Sequence, residues 1–352
     1  MAPSLVSPQC YYISKRNNEA SVSEEAWEKT YQIYNDFVQT LPNSKGWMTQ
    51  NVIQYQGFCL TSTSALKGVL LVQHHCPPRP TDICLATSPK CGPTSLKVLI
   101  FATSNRSSYD FCSHPLLKNG PHDCVLFIEI NKCQDYPIMN LELLLSPRLL
   151  ATHIPYDLLP VAKTTFGCKL VYICRDPKDV LVSTWHFMNK LRPKKLQPLS
   201  LGEAYELFCE GISHYAPFWE HVFGDGKASL ESPDKILFLK YEDMKREPSV
   251  HLRRLAEFVG QPFSFEEEEK GVVQKILRLC SFENLRNLKV NKTGVHRVTD
   301  EIVVNNCDFF RKCQTGDWEN YLSDEMKQHL DFITEQKLKN SGLTLGSSNR
   351  NL

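Results

Sequence analysis

The chain has no run of about 18 consecutive apolar residues, the length a membrane-crossing helix needs, so no spanning segment is expected. Its first residues, MAPSLVSPQCYYISKRNNEASVSEEAW, hold no apolar core of signal-peptide length, and a cytoplasmic protein is expected. A charge bias is missing too. The net charge of +1 and the absence of a long basic stripe exclude an ordinary nucleic-acid binder. Cysteine is not scarce, at fourteen residues, but no C-x-x-C pair or zinc-like spacing occurs. The thiols are therefore expected to be reduced and mostly small core residues, with no metal bound. The HHC run at His74–Cys76 has no second ligand cluster beside it and reads as ordinary loop or strand. No Walker A loop is found, since G-x-x-x-x-G-K-[ST] is not matched anywhere. Internal repeats and low-complexity linkers are also lacking, which favours one domain.

What the chain does have is 352 residues of ordinary globular composition, 42% hydrophobic and 22% charged. Four short, nearly continuous apolar runs stand out: ICLAT (Ile83–Thr87), RLLATH (Arg148–His153), KLVYIC (Lys169–Cys174) and KILFLK (Lys235–Lys240). Helical patterns separate them. That alternation predicts a single α/β domain with a central, mainly parallel sheet covered by helices on both faces. Near the N-terminus, Trp27, Tyr31, Tyr34 and Phe37 have helical spacing, with Ser23 as N-cap. PKDVLVSTWHFMNKL opens on Pro177 with Asp176 as cap. VHLRRLAEFVGQP places Leu252, Leu255, Ala256 and Val259 on one face and stops at Gly260 and Pro262. SFEEEEKGVVQKIL reads as a helix start at Ser264, with acids on the positive end of the dipole.

Chemistry could reside in three places. In LATSPKCGPTSLKVLIFA, a strand turns tightly into a helix N-terminus, where unpaired N–H groups favour an anion and Lys90 adds charge. Arg175 falls at the carboxyl end of a strand, where α/β proteins bind ligands, and Ser183 lies about two turns into the helix beyond. Arg311 and Lys312 are adjacent cations in a loop with Gly316, and such a pair suits a phosphate. Taken singly, each is also what an ordinary turn, salt bridge or solvated loop looks like.

Together, in this order, the segments resemble the cytosolic sulfotransferases that use 3'-phosphoadenosine 5'-phosphosulfate (PAPS). The resemblance runs from about Trp27 to Leu343. ATHIPYDLLP, VYICRDPKDVLVSTWHFMNKLRP, FWEHVFGDGKASLESPDKILFLKYEDM and FFRKCQTGDWENYLS look like the plant-type branch. It implies a sulfotransferase domain over residues 23–343, with a loose segment at 1–22 and a flexible tail at 344–352. It also implies PAPS as co-substrate, no metal, and a small hydroxylated acceptor such as a flavonoid, steroid or hormone. The family's turn reads roughly P-K-[ST]-G-T-T-W and binds the 5'-phosphosulfate. Here it is PKCGPTS, so the cofactor-binding set becomes Lys90, Cys91, Gly92, Pro93, Thr94 and Ser95. Arg175, Ser183, Arg311, Lys312 and Cys313 would hold the 3'-phosphate, and Tyr241, Ser281 and Phe282 the adenine region. His153 of ATHIPY would be the general base, with Lys90 stabilising the leaving oxygen. His186 is read as packing or loop support. The acceptor pocket is expected to draw on residues 109–117 and 218–230. No clean version of the short C-terminal motif through which animal relatives dimerise is found, so oligomeric state is left open.

Cys91, Pro93, Ser95 and Cys313 depart from the family pattern. Pro93 removes an N–H from the anion cradle, worth about 1.5–3 kcal/mol against a charged group. Ser95 replaces a tryptophan that packs on the adenine in relatives, worth about 1–3 kcal/mol. Cys313 stands where a glycine is expected, which matters if the loop needs φ > 0. Two readings of different class follow: an active sulfotransferase with altered cofactor binding, or a catalytically silent relative that binds a small molecule in the same cavity.

Overall fold

A computed structural model describes residues 24–60, 63–130, 144, 146–160, 168–298 and 302–346. Ahead of the apolar runs, β1 (Asn43–Lys45), β2 (Asn51–Tyr55) and β3 (Phe58–Leu60) form a small antiparallel sheet. The four apolar runs then become β4 (Ile83–Ala86), β5 (Leu149–Thr152), β6 (Lys169–Cys174) and β7 (Ile236–Lys240). They pair in the order β5-β4-β6-β7, and every pairing is parallel. A last hairpin joins β8 (Val295–Arg297) to β9 (Val303–Asn305).

Side chains alternate across a strand, and the parallel sheet uses both faces. Cys84, Ala86, Leu150, Tyr172 and Cys174 enter one apolar core, while Ile83, Leu85, Leu149, Ala151 and Ile173 enter the other. A strand buried on both faces has no polar side, which is why these runs read as continuously apolar. The strand order reverses between β4 and β6. Their carboxyl ends therefore open a crevice at the switch point, and the segments that follow them carry Lys90 and Arg175.

Local signals hold in most places. Asp176 caps the Pro177–Leu191 helix by accepting from Lys178 N at 2.9 Å. Ser264 and Glu267 form a capping box. The SFEEEEKGVVQKIL segment is two helices rather than one, Phe265–Glu269 and Val272–Leu279. Gly271 breaks it at φ 64°, in the left-handed region that suits glycine. On the Glu24–Gln39 helix, Tyr34 and Val38 are buried, whereas Phe37 is on the outer side. Ser23 and the Trp27 side chain lie outside the described residues, as does 1–22. The expected tail is not loose at its start: Leu345 is buried, and Thr344 accepts from Lys240 Nζ at 2.9 Å. His74 and His75 end a helix, where both reach the Tyr34 hydroxyl. Among the described residues the cysteines are free, and no cluster suited to a metal ion is found.

The starts of β4 and β5 are pinned by a buried ion pair. Arg148 donates to Asp82 through Nε at 2.9 Å and Nη2 at 2.6 Å, and again to the Pro77 carbonyl. Removing one partner of such a pair strands the other charge without water. Arg148→Ala should therefore lower unfolding stability by about 3–5 kcal/mol, read from denaturant melts.

Candidate active site

β4 ends at Ala86, and Thr87 just beyond it still donates its N–H to the Thr152 carbonyl at 3.2 Å. The Thr87 hydroxyl sits 2.7 Å from the Ser88 carbonyl and 3.0 Å from the Ile173 carbonyl, which ties the turn to β6. The turn then needs two left-handed residues, Lys90 at φ 66° and Gly92 at φ 108°. Gly92 is required twice over, since a Cβ there would meet Tyr241 Cδ2 at 2.7 Å. Pro93 opens the Pro93–Ser104 helix at its first position, as its fixed φ allows. The first backbone hydrogen bond of this helix runs from Leu96 N to Gly92 O at 3.1 Å. The N–H groups of Thr94 and Ser95 therefore remain for an anion.

One cavity of about 630 Å³ collects Lys90, Gly92, Pro93, Thr94, Ser95, His153, Arg175, Ser183, Tyr241, Ser281, Phe282, Arg311, Lys312 and Cys313. Cys91 is the exception in the cofactor set. Its side chain is fully buried in the core, its N–H is 3.3 Å from the Ser88 carbonyl, and burial pushes its thiol up to about 12. Neither segment expected to build the acceptor pocket, 109–117 or 218–230, lines this cavity. In the Phe218–Glu231 helix the reason is plain: Phe218, Trp219 and Val222 are consumed by the core. The apolar part of the wall comes instead from Met48, Phe127, Ile130, Leu191, Tyr215 and Ile302.

The cations are arranged by buried carboxylates. Arg175 Nη2 donates to the Gln314 carbonyl at 2.6 Å and pairs with Asp179 at 3.2 Å, while its guanidinium lies 4.7 Å from the Tyr241 ring centroid. Asp179 also accepts from Gly316 N at 2.9 Å and Trp318 N at 3.3 Å, so it clamps the C-terminal loop beside Arg175. Asp317, 1% exposed at its side chain, accepts from Arg311 at 2.6 Å and Lys312 at 2.7 Å. Burial opposes its charge, but these two hydrogen bonds hold it below the ordinary carboxylate range. Cys313 adopts φ 56°, so the loop does require a left-handed residue at the place where the family has glycine. Its thiol lies 3.1 Å from the Tyr241 hydroxyl.

Lys90 differs from the other cations. Its Nζ rests 3.8 Å above the Phe187 ring, and it makes no ion pair among the described residues. Burial and then the charges of Arg175, Arg311 and Lys190 lower it to about 7. Arg175 Nε is likewise buried, without a hydrogen-bond partner among the described residues. A donor left over, a lysine among like charges and a glycine cradle all fit a multiply charged anion at this place.

His153 follows β5. Its backbone N donates to Glu129 Oε1 at 2.6 Å, and its ring Nδ1 lies 2.7 Å from the Thr87 carbonyl. A carbonyl can only accept, so Nδ1 carries the hydrogen and Nε2 keeps its lone pair. Burial lowers this imidazole to about 3, which leaves it neutral at cellular pH. His186 does not line the cavity; it packs on Trp185 and Tyr321. Asp179, Asp317 and Glu129 were missed from the sequence. Only Asp179 carried a signal, its four-residue spacing from Arg175 at a helix start.

The fold and site define an α/β protein with a cavity at the switch point of a parallel sheet that suits a multiply charged anion, beside a neutral imidazole. Residues 80–342 match the family model described as a sulfotransferase domain. The chain is 42% identical to cytosolic sulfotransferase 16 of Arabidopsis thaliana over 93% of its own length and 97% of the relative's. It is 42% identical to flavonol 4'-sulfotransferase of Flaveria chlorifolia, covering 87% and 93% of the two chains. Among solved structures it resembles an Arabidopsis thaliana protein described as a steroid sulphotransferase, at 34% identity and TM-score 0.70, covering 94% and 100%. A mouse sulfotransferase complexed with PAP matches at 25% identity and TM-score 0.65, covering 82% and 95%. The chain belongs to the sulfotransferase family. It is a PAPS-dependent enzyme of that family, and these relatives lend no support to the catalytically silent alternative.

Two outcomes are expected of this site. Gly92→Ala should weaken binding of 3'-phosphoadenosine 5'-phosphate (PAP) by at least about tenfold in calorimetry, through the Tyr241 clash and the φ cost. Binding PAP near pH 8 should also take up close to one proton. Free Lys90, lowered to about 7, is mostly neutral there, and a neighbouring anion restores its charge. Titration in buffers of different ionisation enthalpy measures that uptake.

Proposed function

We propose that the enzyme transfers a sulfuryl group to a hydroxyl of a small, largely apolar acceptor of flavonoid- or steroid-like character, with His153 as base. PAPS supplies the transferable sulfuryl group on a phosphate leaving group. The observation that carries the reading is one cavity holding both the unpaired Lys90 and an imidazole whose Nε2 lone pair is free.

Each side chain then has a task. His153 Nε2 takes the acceptor's proton, and its depressed basicity keeps it unprotonated beforehand. Lys90, which makes no ion pair among the described residues, meets the negative charge that builds on the departing oxygen. Arg175, Ser183, Arg311 and Lys312 hold the 3'-phosphate, with the last two already oriented by Asp317. Cys313 contributes its backbone N–H to the same phosphate. Phe282, behind its N-cap Ser281, and Tyr241 border the adenine. The apolar wall favours a hydroxyl on a hydrophobic framework, in keeping with the flavonol and steroid names of the relatives. A cytoplasmic location accords with the names of several relatives.

Titration of PAP into the natural protein, beside a Pro93→Thr/Ser95→Trp variant, tests the cofactor half. Binding by the natural protein is expected, with the variant tighter by about tenfold or more. Binding confined to the variant would defeat the reading. For the chemical half, His153→Ala should lower kcat about 10²- to 10⁴-fold on a flavonol acceptor, with PAP affinity within about twofold of the parent.

A further inference from the structure

Lys97, 1% exposed, is the one charged side chain of the Pro93–Ser104 helix, buried beside Leu96, Val98, Ile100 and Phe101, with the hydroxyl residues Thr103 and Ser104 at the helix end. A buried lysine is costly, and an apolar residue of the same size would serve packing better. Lys97 makes no ion pair among the described residues. Its Nζ sits 3.3 Å above the Phe127 ring and 3.2 Å from His122 Nδ1. His122 is buried as well, with the Phe309 ring tilted against it at 4.1 Å between centroids, and its other nitrogen, Nε2, lies 3.4 Å from the Thr94 hydroxyl. Thr94 belongs to the first turn of the helix, next to Pro93, and both Thr94 and His122 line the cavity.

We propose that Lys97 and His122 are positioning residues that turn the Thr94 hydroxyl into an anion donor, replacing the hydrogen bond that Pro93 cannot make. With Lys97 as the first donor, the chain of donors runs one way. Lys97 donates to Nδ1, which places the ring hydrogen on Nε2; Nε2–H donates to Thr94 Oγ1; the hydroxyl hydrogen is then free to point at the 5'-phosphate of the bound nucleotide. Successive hydrogen bonds polarise one another, so the threonine becomes a stronger donor than a lone hydroxyl. Burial, foremost, lowers His122, so the ring is neutral and retains one acceptor and one donor nitrogen. This inference rests on the sulfotransferase reading of the turn, which it deepens.

Affinity for PAP divided by affinity for adenosine 3'-monophosphate isolates the 5'-phosphate, and calorimetry supplies both values. In Lys97→Met and in His122→Phe that ratio should fall about tenfold, with adenosine 3'-monophosphate affinity within about twofold of the parent. Lys97→Met should melt no lower than the parent, because it removes a buried polar group rather than a packing volume. Thr94→Val should lower the ratio equally and add nothing further in the Lys97→Met background. An unchanged ratio in both single variants would overturn the proposal, as would equal loss of both nucleotides, which would assign these residues to packing. A parent protein with no 5'-phosphate preference would instead refute the sulfotransferase reading of the turn, and this inference with it.

Discussion

The site depends on one buried carboxylate, Asp179. It sits in the first turn of the Pro177–Leu191 helix and serves three partners: the Arg175 guanidinium and the backbone N–H groups of Gly316 and Trp318. Those partners come from the end of β6 and from a loop well over a hundred residues later. Without that clamp, Arg311 and Lys312 would be two solvated cations on a mobile surface. With it, the basic loop is held at the mouth of the crevice between β4 and β6. The helix dipole adds to the effect, because a carboxylate in the first turn meets the positive end of the helix.

The cations are then sorted by whether they have a carboxylate. Arg175 has Asp179, and Arg311 with Lys312 share Asp317. These pairs fix geometry and offset mutual repulsion before any ligand arrives. Lys90 has an aromatic face instead, and burial first, then the like charges around it, lower its basicity. An anion entering the cavity meets three preset donors and one group whose charge it restores. A chain of net charge +1 thus concentrates positive charge at one end of one sheet, which no overall balance reveals.

Legibility followed periodicity and local punctuation. The four apolar runs gave the strands to within a residue or two, since burial on both faces leaves no other reading for a run so short. Caps at Asp176 and Ser264 were visible because a cap acts within three residues. The failures have physical causes. The helix start at Ser264 was legible, but not the break at Gly271, where an acidic run and an apolar run abut and only the backbone shows the left-handed turn. Phe37 has core-like spacing, yet Val38 takes the buried position one residue on. Cys91 lies inside the phosphate-loop motif, but its side chain faces the core because the residues on either side, Lys90 and Gly92, are left-handed.

The sequence by itself determined the family, the order of the strands along the chain and the set of cations and imidazole that form the site, because these rest on residue identity and short-range spacing. Tertiary structure alone decided which groups those residues answer to. It paired Asp317 with Arg311 and Lys312, fixed the His153 tautomer through the Thr87 carbonyl, and gave Lys90 no ion pair among the described residues. It also moved the acceptor wall away from 109–117 and 218–230 to residues from several distant segments. Such pairings join positions far apart in the chain, and a hydrogen bond or a desolvated charge is set by distance and direction in space, for which sequence separation is no guide.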